Sequence, residues 1–485
     1  MTTERYINRD PSTVLRSIGA LFVLAALLTA CVPNLRVQGP RTALPQQYPM
    51  ASTDTSSGGA PWQQFYTDPY LRALIDSALA NNQELNILLQ EVEVSRAETR
   101  ARKGEYLPYV DIAAAAGVEK VGEHTRNGAV ERNLPIAEEK SFPEPLPDLL
   151  LGARASWELD VWRRLRNGRK AAVMRYLATV EGRHFMVTQL VAELANSYFE
   201  LLALDQQLEI LRSNIAIQQD ALEIVRMEKQ AAKVTELAVR RFEAEVLKNR
   251  SLLFEVQQRI VETENRINFL VGRYPQTVQR DAALFNAGFP DVLRTGVPAR
   301  LLSLRPDVRR AELELEAARL DVKAARASFY PALRITAGAG LNAFNGAYFM
   351  ETPASLIYNA AGDLVAPLIN RNAIKAAYAS ANARQQQAVY EYERTLLNAY
   401  VEVVNQLAGI DNLTQSYGLR QQQVDALSSS ITISNNLFRS ARADYMEVLL
   451  TQRDALESKV ELVEVRRQQL GAQVAMYQAL GGGWR

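Results

Sequence analysis

The stretch VTQLVAELANSYFELLALDQQLEILRSNIAIQQDAL, residues 187–222, decides the fold, because it carries an apolar residue at every seventh position. These positions are Val187, Leu194, Leu201, Leu208, Ile215 and Leu222. Seven-residue spacing is typical of helices that pack side by side as coiled coils. The pattern continues for about 45 residues, or roughly 68 Å of helix at 1.5 Å per residue. It predicts a helix several times longer than those of ordinary globular domains.

The same pattern returns further along the chain, which indicates an internal duplication. One recurrence lies 202 residues downstream, at Val389, Leu396, Val403, Ile410, Tyr417 and Val424. A second pair of stretches lies 210 residues apart, beginning at Val239 and Leu449, and the larger offset predicts a longer turn in the second helical hairpin. Upstream, YLPYV (106–110) resembles FYPAL (329–333) at an offset of 223. That offset predicts a longer connection in the first half, at residues 120–148.

Four segments break the helical pattern and are predicted to be strands: residues 106–120, 149–161, 330–344 and 352–367. Apolar residues alternate at Val110, Ile112, Ala114, Ala116 and Val118, and again at Leu333, Ile335, Ala337, Ala339 and Leu341. Each segment is long enough for a tilted membrane strand, which needs about 9–11 residues. We expect the apolar residues to face lipid or a neighbouring protomer, and the polar residues to face a lumen.

Four strands are too few to close a membrane barrel, since the smallest have about eight. An open sheet edge is not left in lipid, so spanning strands require several copies of the chain. Three copies give a barrel of about twelve strands. The alternative is a pair of ordinary β-hairpins that cap a helical bundle.

The N-terminus reads as a secretory signal peptide over residues 1–30. Arg5, Arg9 and Arg16 precede a short apolar run at 18–28, the arrangement typical of such signals. LTAC (28–31) resembles the bacterial lipobox, which implies acylation of Cys31, and Val32 in place of Asp favours the outer membrane. The alternative is a plain signal peptide with a chance cysteine. Residues 31–60 are rich in Pro, Ser, Thr and Gly and are predicted to be a lipidated tether.

Composition excludes several classes of protein. The counts of 55 Lys and Arg against 54 Asp and Glu leave no basic excess for nucleic acid. One Cys and two His leave little material for a metal site, a disulfide or a catalytic thiol. With no recognisable catalytic set or phosphate loop, we predict no enzyme activity, cofactor or metal. After the first thirty residues no apolar run is long enough for a membrane helix.

The repeats predict a domain organisation. The first structural repeat is 61–272, with its strand pair at 106–161 and a helical hairpin at 163–272. A linker follows at 273–300. The second repeat is 301–485, with its strand pair at 330–367 and a hairpin at 371–480.

Several motifs, in order along the chain, resemble the TolC-like outer-membrane efflux protein family in its lipoprotein branch. They are WELD (157–160), LLSLRPDVRRAE (301–312), AARASFYP (324–331), APLIN (366–370), ADYMEVL (443–449) and LGGGW (480–484). The resemblance implies a mostly α fold with a membrane β-barrel, in which a homotrimer forms a twelve-stranded barrel and a periplasmic tunnel of helical hairpins.

The resemblance also implies a function. The duct would passively export small molecules such as drugs, with a periplasmic adaptor and an inner-membrane pump of the proton-driven resistance-nodulation-division type. Metal-ion efflux and type I secretion remain alternatives, and a coiled-coil scaffold lipoprotein is an alternative of another class. Where the family has an aromatic residue followed by Gly, this chain has Trp162-Arg163. The hairpin turns also lack glycine, at 230–233 and in FRSA (438–441).

Candidate functional residues lie at the hairpin turns. A lumen-facing charge in a trimer becomes a ring of three, and carboxylate rings favour cations. We expect Asp444 to line the periplasmic constriction and Arg442 to tie neighbouring helices in the closed state, with Arg439 close by as a further gate residue. The alternative is that they are solvated charges at a helical turn. The residues expected to contact the adaptor are Val234, Thr235, Glu236, Ala441, Ala443 and Tyr445.

Overall fold

The computed structural model describes residues 33, 35, 39–41, 43, 45, 48, 59–136, 140–286, 304–367, 369, 371–440 and 442–485. The predicted signal peptide, Cys31, Ala441 and part of the predicted linker, 287–300, lie outside the described residues. Acylation of Cys31 therefore stays a prediction. The chain divides into a sheet unit (1–39, 94–176 and 313–389) and a helical unit (40–93, 177–312 and 390–485).

The described elements follow the same order in both halves of the chain. The first half has α3 (Gln83–Gly104), β1 (Tyr109–Glu119), β2 (Leu146–Leu159), α5 (Arg164–Gln230) and α6 (Glu236–Val271). The second half has α7 (Pro306–Ala327), β3 (Ala332–Ala343), β4 (Leu356–Val365), α8 (Asn372–Arg439) and α9 (Tyr445–Ala479). Shorter helices are α1 (Trp62–Phe65), α2 (Pro69–Asn81), α4 (Arg126–Asn133) and the 3-10 helix Ala282–Asn286.

This order confirms a mostly helical, duplicated fold with four strands. The domain boundaries at 61–272, 273–300 and 301–485 stay predictions. Among the described residues, every helix is too short or too polar to span a membrane.

The prediction of a longer second turn is wrong. Helices α5 and α6 have 67 and 36 residues, and α8 and α9 have 68 and 35. Both hairpins turn over five residues, 231–235 and 440–444. The helix ends Gln230 and Arg439 lie 209 residues apart, seven more than the offset of 202 read from the heptads. A seven-residue pattern matches itself after a shift of one repeat, so it cannot fix its own register.

The prediction of a longer first strand connection is confirmed. Strands β1 and β2 are joined by residues 120–145, whereas β3 and β4 are joined by residues 344–355. The four strands form one antiparallel sheet in the order β1-β2-β3-β4. In the sheet unit, Val322, Phe329 and Tyr378 form a small core, with the Phe329 and Tyr378 rings edge to face at 5.7 Å.

The helical unit has a core built from the heptad positions. Leu194 and Leu201 of α5 are fully buried beside Ile267 of α6 and Tyr477 of α9. Burying such side chains contributes about 1.5–3 kcal/mol each relative to exposure. Helix α6 ends at Gly272, whose φ of 78° and closeness to the Asn81 carbonyl leave no room for a Cβ.

The RPD motif has a structural role in this unit. The buried Arg305 guanidinium binds the Asp307 carboxylate at 2.7 Å, the Glu402 carboxylate at 2.6 Å and the Ala479 carbonyl at 3.0 Å. Burial opposes the charge, but the two carboxylates raise the pKa of Arg305. The motif therefore ties the start of α7 to α8 and to the end of α9.

Candidate functional site: a two-faced sheet and two helical tips

The register of the sheet gathers apolar residues on one face. Ile112 lies opposite Ala153, Ala153 opposite Ala339, and Ala339 opposite Tyr358. Opposed residues of a ladder share a face, and alternate residues of a strand lie on the same side. This apolar face consists of Val110, Ile112, Ala114, Ala116 and Val118; Leu149, Leu151, Ala153, Ala155, Trp157 and Leu159; Leu333, Ile335, Ala337, Ala339 and Leu341; and Leu356, Tyr358, Ala360, Gly362 and Leu364.

The opposite side, the polar face, carries all the charges of the four strands. They are Asp111, Glu119, Asp148, Arg154, Glu158, Arg334 and Asp363. Five are carboxylates and two are guanidinium groups, so the face has a net negative charge. An Arg154 Nη2 to Asp111 Oδ2 contact of 2.7 Å crosses β1 and β2. The remaining residues of this face are largely Ala, Gly, Ser, Thr and Asn.

The sequence-based site predictions did not include the charged residues of the polar face. The available signal was the alternation itself, since Asp111 stands between Val110 and Ile112. Only the register across the strands shows that seven separate charges share a single side of the sheet.

At one end of the polar face lies a cavity of about 640 Å³. Its lining includes Glu158, Trp162, Arg164, Tyr330, Arg334 and Asp363. The Trp162 ring stacks on the Tyr330 ring at 4.7 Å, and its Nε1 donates to the Pro331 carbonyl at 2.9 Å. Arg163 has a φ of 61°, so it adopts the left-handed conformation that favours glycine. The chain makes this turn without a glycine.

The first tip (residues 231–235) is flanked by paired charges. Lys229 at the end of α5 forms an ion pair with Glu236 at the start of α6. Glu236 also binds Arg240 at 2.8 Å, and Arg240 binds Glu243 at 2.9 Å. The hydrogen bond from Lys229 holds the pKa of Glu236 below its usual value. Within the tip, Ala232 has a φ of 60°, which is strained for a non-glycine residue.

The second tip (residues 440–444) contains Arg442 and Asp444 and directly follows Arg439. Arg439, Arg442 and Asp444 are exposed, and none of them forms an ion pair with another described residue. Asp444 occupies the N-cap position of α9, yet its side chain accepts no capping hydrogen bond. Thr235 occupies the same position before α6 and is likewise without a capping bond.

Two of the residues predicted to contact the adaptor pack on the same apolar cluster. Val234 and Tyr445 pack on one apolar cluster, which also contains Leu222, Val225, Ala238, Val239, Phe242 and Val246. Thr235 and Glu236 are exposed, and Ala443 is half-buried. The structure thus brings Val234 of the first tip and Tyr445, which follows the second tip, to a shared core. Ala441 lies outside the described residues. In the part of the chain that the structure describes, no group of three or more His, Cys, Asp or Glu side chains has a metal-binding arrangement.

Comparison with known proteins assigns the family. Residues 74–273 and 297–482 match the model of the family described as outer membrane efflux protein. Over 469 residues the chain is 26% identical to the cation efflux system protein CusC of Escherichia coli O6:H1, covering 96% of this chain and 98% of that protein. It is 27% identical over 472 residues to the pyoverdine export outer membrane protein OpmQ of Pseudomonas aeruginosa, covering 96% of this chain and 97% of that protein.

Solved structures give the same result. A crystal structure of CusC superposes with a TM-score of 0.79 at 25% identity, covering 93% of this chain and 100% of that one. The resemblance inferred from the motifs is therefore confirmed. Because the family model matches most of both halves, the chain belongs to the outer membrane efflux protein family and is an outer-membrane component of an efflux system.

Proposed function

We propose that three copies of this chain form a twelve-stranded barrel in the outer membrane, continued by a tunnel of helical hairpins. The observation that carries this proposal is the two-faced sheet. An entirely apolar face suits lipid, and a charged face suits a water-filled lumen. In the described residues β1 and β4 each have one unpaired edge. In lipid these strand edges must form hydrogen bonds, and β1 of one copy can pair with β4 of the next copy.

Exposed apolar residues on the long helices support the same assembly. Helix α6 exposes Leu247, Phe254 and Val261 at seven-residue spacing, and Phe254 is 69% exposed. Helix α8 exposes Leu397, Leu419 and Ile433. Apolar side chains left uncovered on the long helices of one chain are suited to packing against a neighbouring copy.

The gate is assigned to the second tip. In a trimer Asp444 makes a ring of three carboxylates, and Arg442 and Arg439 are free to pair with a neighbouring protomer. Both tips would meet a periplasmic adaptor through Val234, Thr235, Glu236, Ala441, Ala443 and Tyr445. The adaptor connects the duct to an inner-membrane pump, proposed to be of the resistance-nodulation-division type. Acyl chains on Cys31 would add a lipid anchor.

The cargo is proposed to be small molecules, carried by passive conduction without a catalytic step. The net negative polar face favours cationic cargo over anionic cargo. A second candidate cargo is a metal cation, because the similar protein CusC is named as a cation efflux system protein. The pyoverdine export role in the name of OpmQ instead supports an organic cargo.

Two neighbouring alanines of β1 test the barrel. Ala113 lies on the polar face opposite Gly152, and Ala114 lies on the apolar face opposite Leu151. We expect Ala114→Arg to cost about 2–4 kcal/mol per strand at the membrane midplane and to abolish outer-membrane trimers. Ala113→Arg, the matched control, should assemble normally and shift conductance toward anions. The measurement is trimer mass in mild detergent with planar-bilayer conductance, and equal behaviour of the two variants would contradict the proposal.

The cargo is tested in a strain that lacks its own outer-membrane ducts. Expression with a matching adaptor and pump should restore resistance to organic toxic compounds. Restored resistance to toxic metal salts alone would favour the metal-cation candidate instead.

A further inference from the structure

The open cavity of about 640 Å³ at the end of the polar face is built entirely within the sheet unit. Ala332 and Arg334 line it, whereas Leu333, between them on the apolar face, does not. Because side chains of a strand alternate between the two faces, the cavity opens on the polar face. Its volume lies within the range of about 300–1,000 Å³ that is typical of small-molecule sites. None of the proposed functions uses this cavity.

Three charged residues stand in one row along the cavity. Glu158 of β2 lies opposite Arg334 of β3, which in turn lies opposite Asp363 of β4. Arg164 donates to both carboxylate oxygens of Glu158, at 2.8 and 3.0 Å, so this carboxylate already has a partner. The row therefore leaves one guanidinium group and one carboxylate side by side.

Arg334 and Asp363 are both accessible to a ligand. Each side chain is exposed, and within the described part of the chain neither forms an ion pair. Residues directly opposite each other in an antiparallel ladder have Cα atoms about 4.5–5.5 Å apart. A positive and a negative group at this spacing match a ligand that carries a carboxylate and an ammonium group close together.

An aromatic wall lines the same cavity. Trp162 and Tyr330 both belong to the lining, and their rings stack at 4.7 Å with 26° between the ring planes. The Trp162 Nε1 already donates to the Pro331 carbonyl, so the indole offers ring surface rather than a free donor. Since Trp162 is 46% exposed, a planar ring of a ligand can pack beside it.

We propose that this cavity binds a zwitterion with a planar ring, of the aromatic α-amino acid class. The ligand carboxylate would accept hydrogen bonds from Arg334, its ammonium group would donate to Asp363, and its ring would pack beside Trp162. In the proposed barrel β4 pairs with the next copy through its edge, which leaves the polar face open. The site goes beyond the proposed duct function, because it selects for two opposite charges rather than for net charge.

Fluorine NMR of the full-length protein in lipid nanodiscs tests the site with three probes that share one ring. The first, 4-fluorophenylalanine, carries both charges. The second, 4-fluorophenethylamine, carries only the ammonium group, and the third, 3-(4-fluorophenyl)propanoate, carries only the carboxylate. We expect saturable binding, with 4-fluorophenylalanine bound about two- to fivefold more tightly than either analogue, the effect of one exposed ion pair.

Two substitutions should change these preferences in a crossed pattern. Arg334→Gln should remove the advantage of 4-fluorophenylalanine over the amine, and Asp363→Asn should remove its advantage over the propanoate. Each variant should still bind the analogue whose charge it can match, which shows that the cavity is intact. Arg126→Gln is the matched control, because Arg126 is another exposed arginine of the sheet unit and lies outside the cavity. It should keep the preferences of the unchanged protein.

The result is independent of the proposed duct, because a single chain forms the cavity and neither trimer formation nor conduction enters the measurement. Tighter binding of the amine than of 4-fluorophenylalanine would mean that only net negative charge acts, and would overturn the proposal. Equal binding of the three probes, or non-saturable uptake by the unchanged protein, would overturn it as well. So would a preference for 4-fluorophenylalanine that survives both Arg334→Gln and Asp363→Asn.

Discussion

The two helical tips have the same length and are flanked by helices of nearly equal length, but they differ in their charged residues. At the first tip Lys229, Glu236 and Arg240 form ion pairs within the chain, and the one charge inside the turn is Lys233. At the second tip Arg439, Arg442 and Asp444 have no ion-pair partner among the described residues. Duplication supplied two turns of equal length, and only the second carries a carboxylate, Asp444. That difference is why we assign the gate to the second tip.

The largest effect is expected from removing the carboxylate of the second tip. Asp444→Ala should increase current through the closed duct. Three exposed interprotomer ion pairs at about 0.2–1 kcal/mol each amount to roughly 0.6–3 kcal/mol. This corresponds to a shift of the gate equilibrium of about 3- to 150-fold. Single-channel recording in planar bilayers measures the effect.

Thr235→Ala is the matched control for that experiment. Thr235 and Asp444 both precede a helix, and neither side chain makes a capping bond. Neither substitution should therefore weaken its helix, and Thr235→Ala should leave the closed current unchanged. Equal leak from both variants would mean that the tips are equivalent and that Asp444 has no special role.

A smaller effect is expected from the backbone of the first tip. Ala232→Gly should relieve the left-handed strain and stabilise the turn by about 0.5–1 kcal/mol. Hydrogen exchange of the Ala232 and Lys233 amides, which donate to the Lys229 and Glu228 carbonyls, should slow about two- to fivefold. Ala443→Gly is the control, because no described residue of the second tip has a positive φ. There, glycine should leave exchange equal or faster.

The smallest effect concerns the ion pair of the first tip. The pKa of Glu236 is lowered in the folded chain, so its stabilising contribution is present at neutral pH. That contribution is lost as the pH falls below the ordinary value of 4.5 and through the lowered folded-state pKa. Amide protection of residues 231–235 should therefore decline on acidification in the unchanged chain. In Glu236→Gln the protection should be lower and independent of pH; a persistent decline would assign the effect to another group.

The two faces of the sheet could be predicted from the sequence. Side chains of a strand alternate between the faces, so the alternating apolar residues of each strand must lie on the same side. The apolar residues from Val110 to Val118 and from Leu333 to Leu341 therefore share one face of the sheet. The long helices follow equally well from their heptads. Their relative register does not, because Leu222 can be matched to Val424 or, one repeat later, to Ile431 with equal success.

The tips and the cavity were less predictable. Missing glycines suggested altered turns, but Arg163 and Ala232 adopt positive φ angles without them. The surrounding helices impose this local geometry, and a backbone penalty of about 1–2 kcal/mol is too small to prevent it. Arg334 and Asp363 lie on different strands, and only the register of β3 and β4 places them side by side at the cavity.

The near-equal lengths of the two hairpins affect how many adaptor subunits a trimeric duct can bind. Arms of 67 and 36 residues and of 68 and 35 residues differ by one residue, less than a third of a helical turn. Three copies would thus present six turns in alternation, similar in backbone but of two electrostatic kinds. If the adaptor subunits recognised only the backbone of a turn, six of them would bind to each duct. A ring of subunits that recognised the Asp444 carboxylate would bind at three turns, so counting adaptors per duct would reveal which surface is recognised.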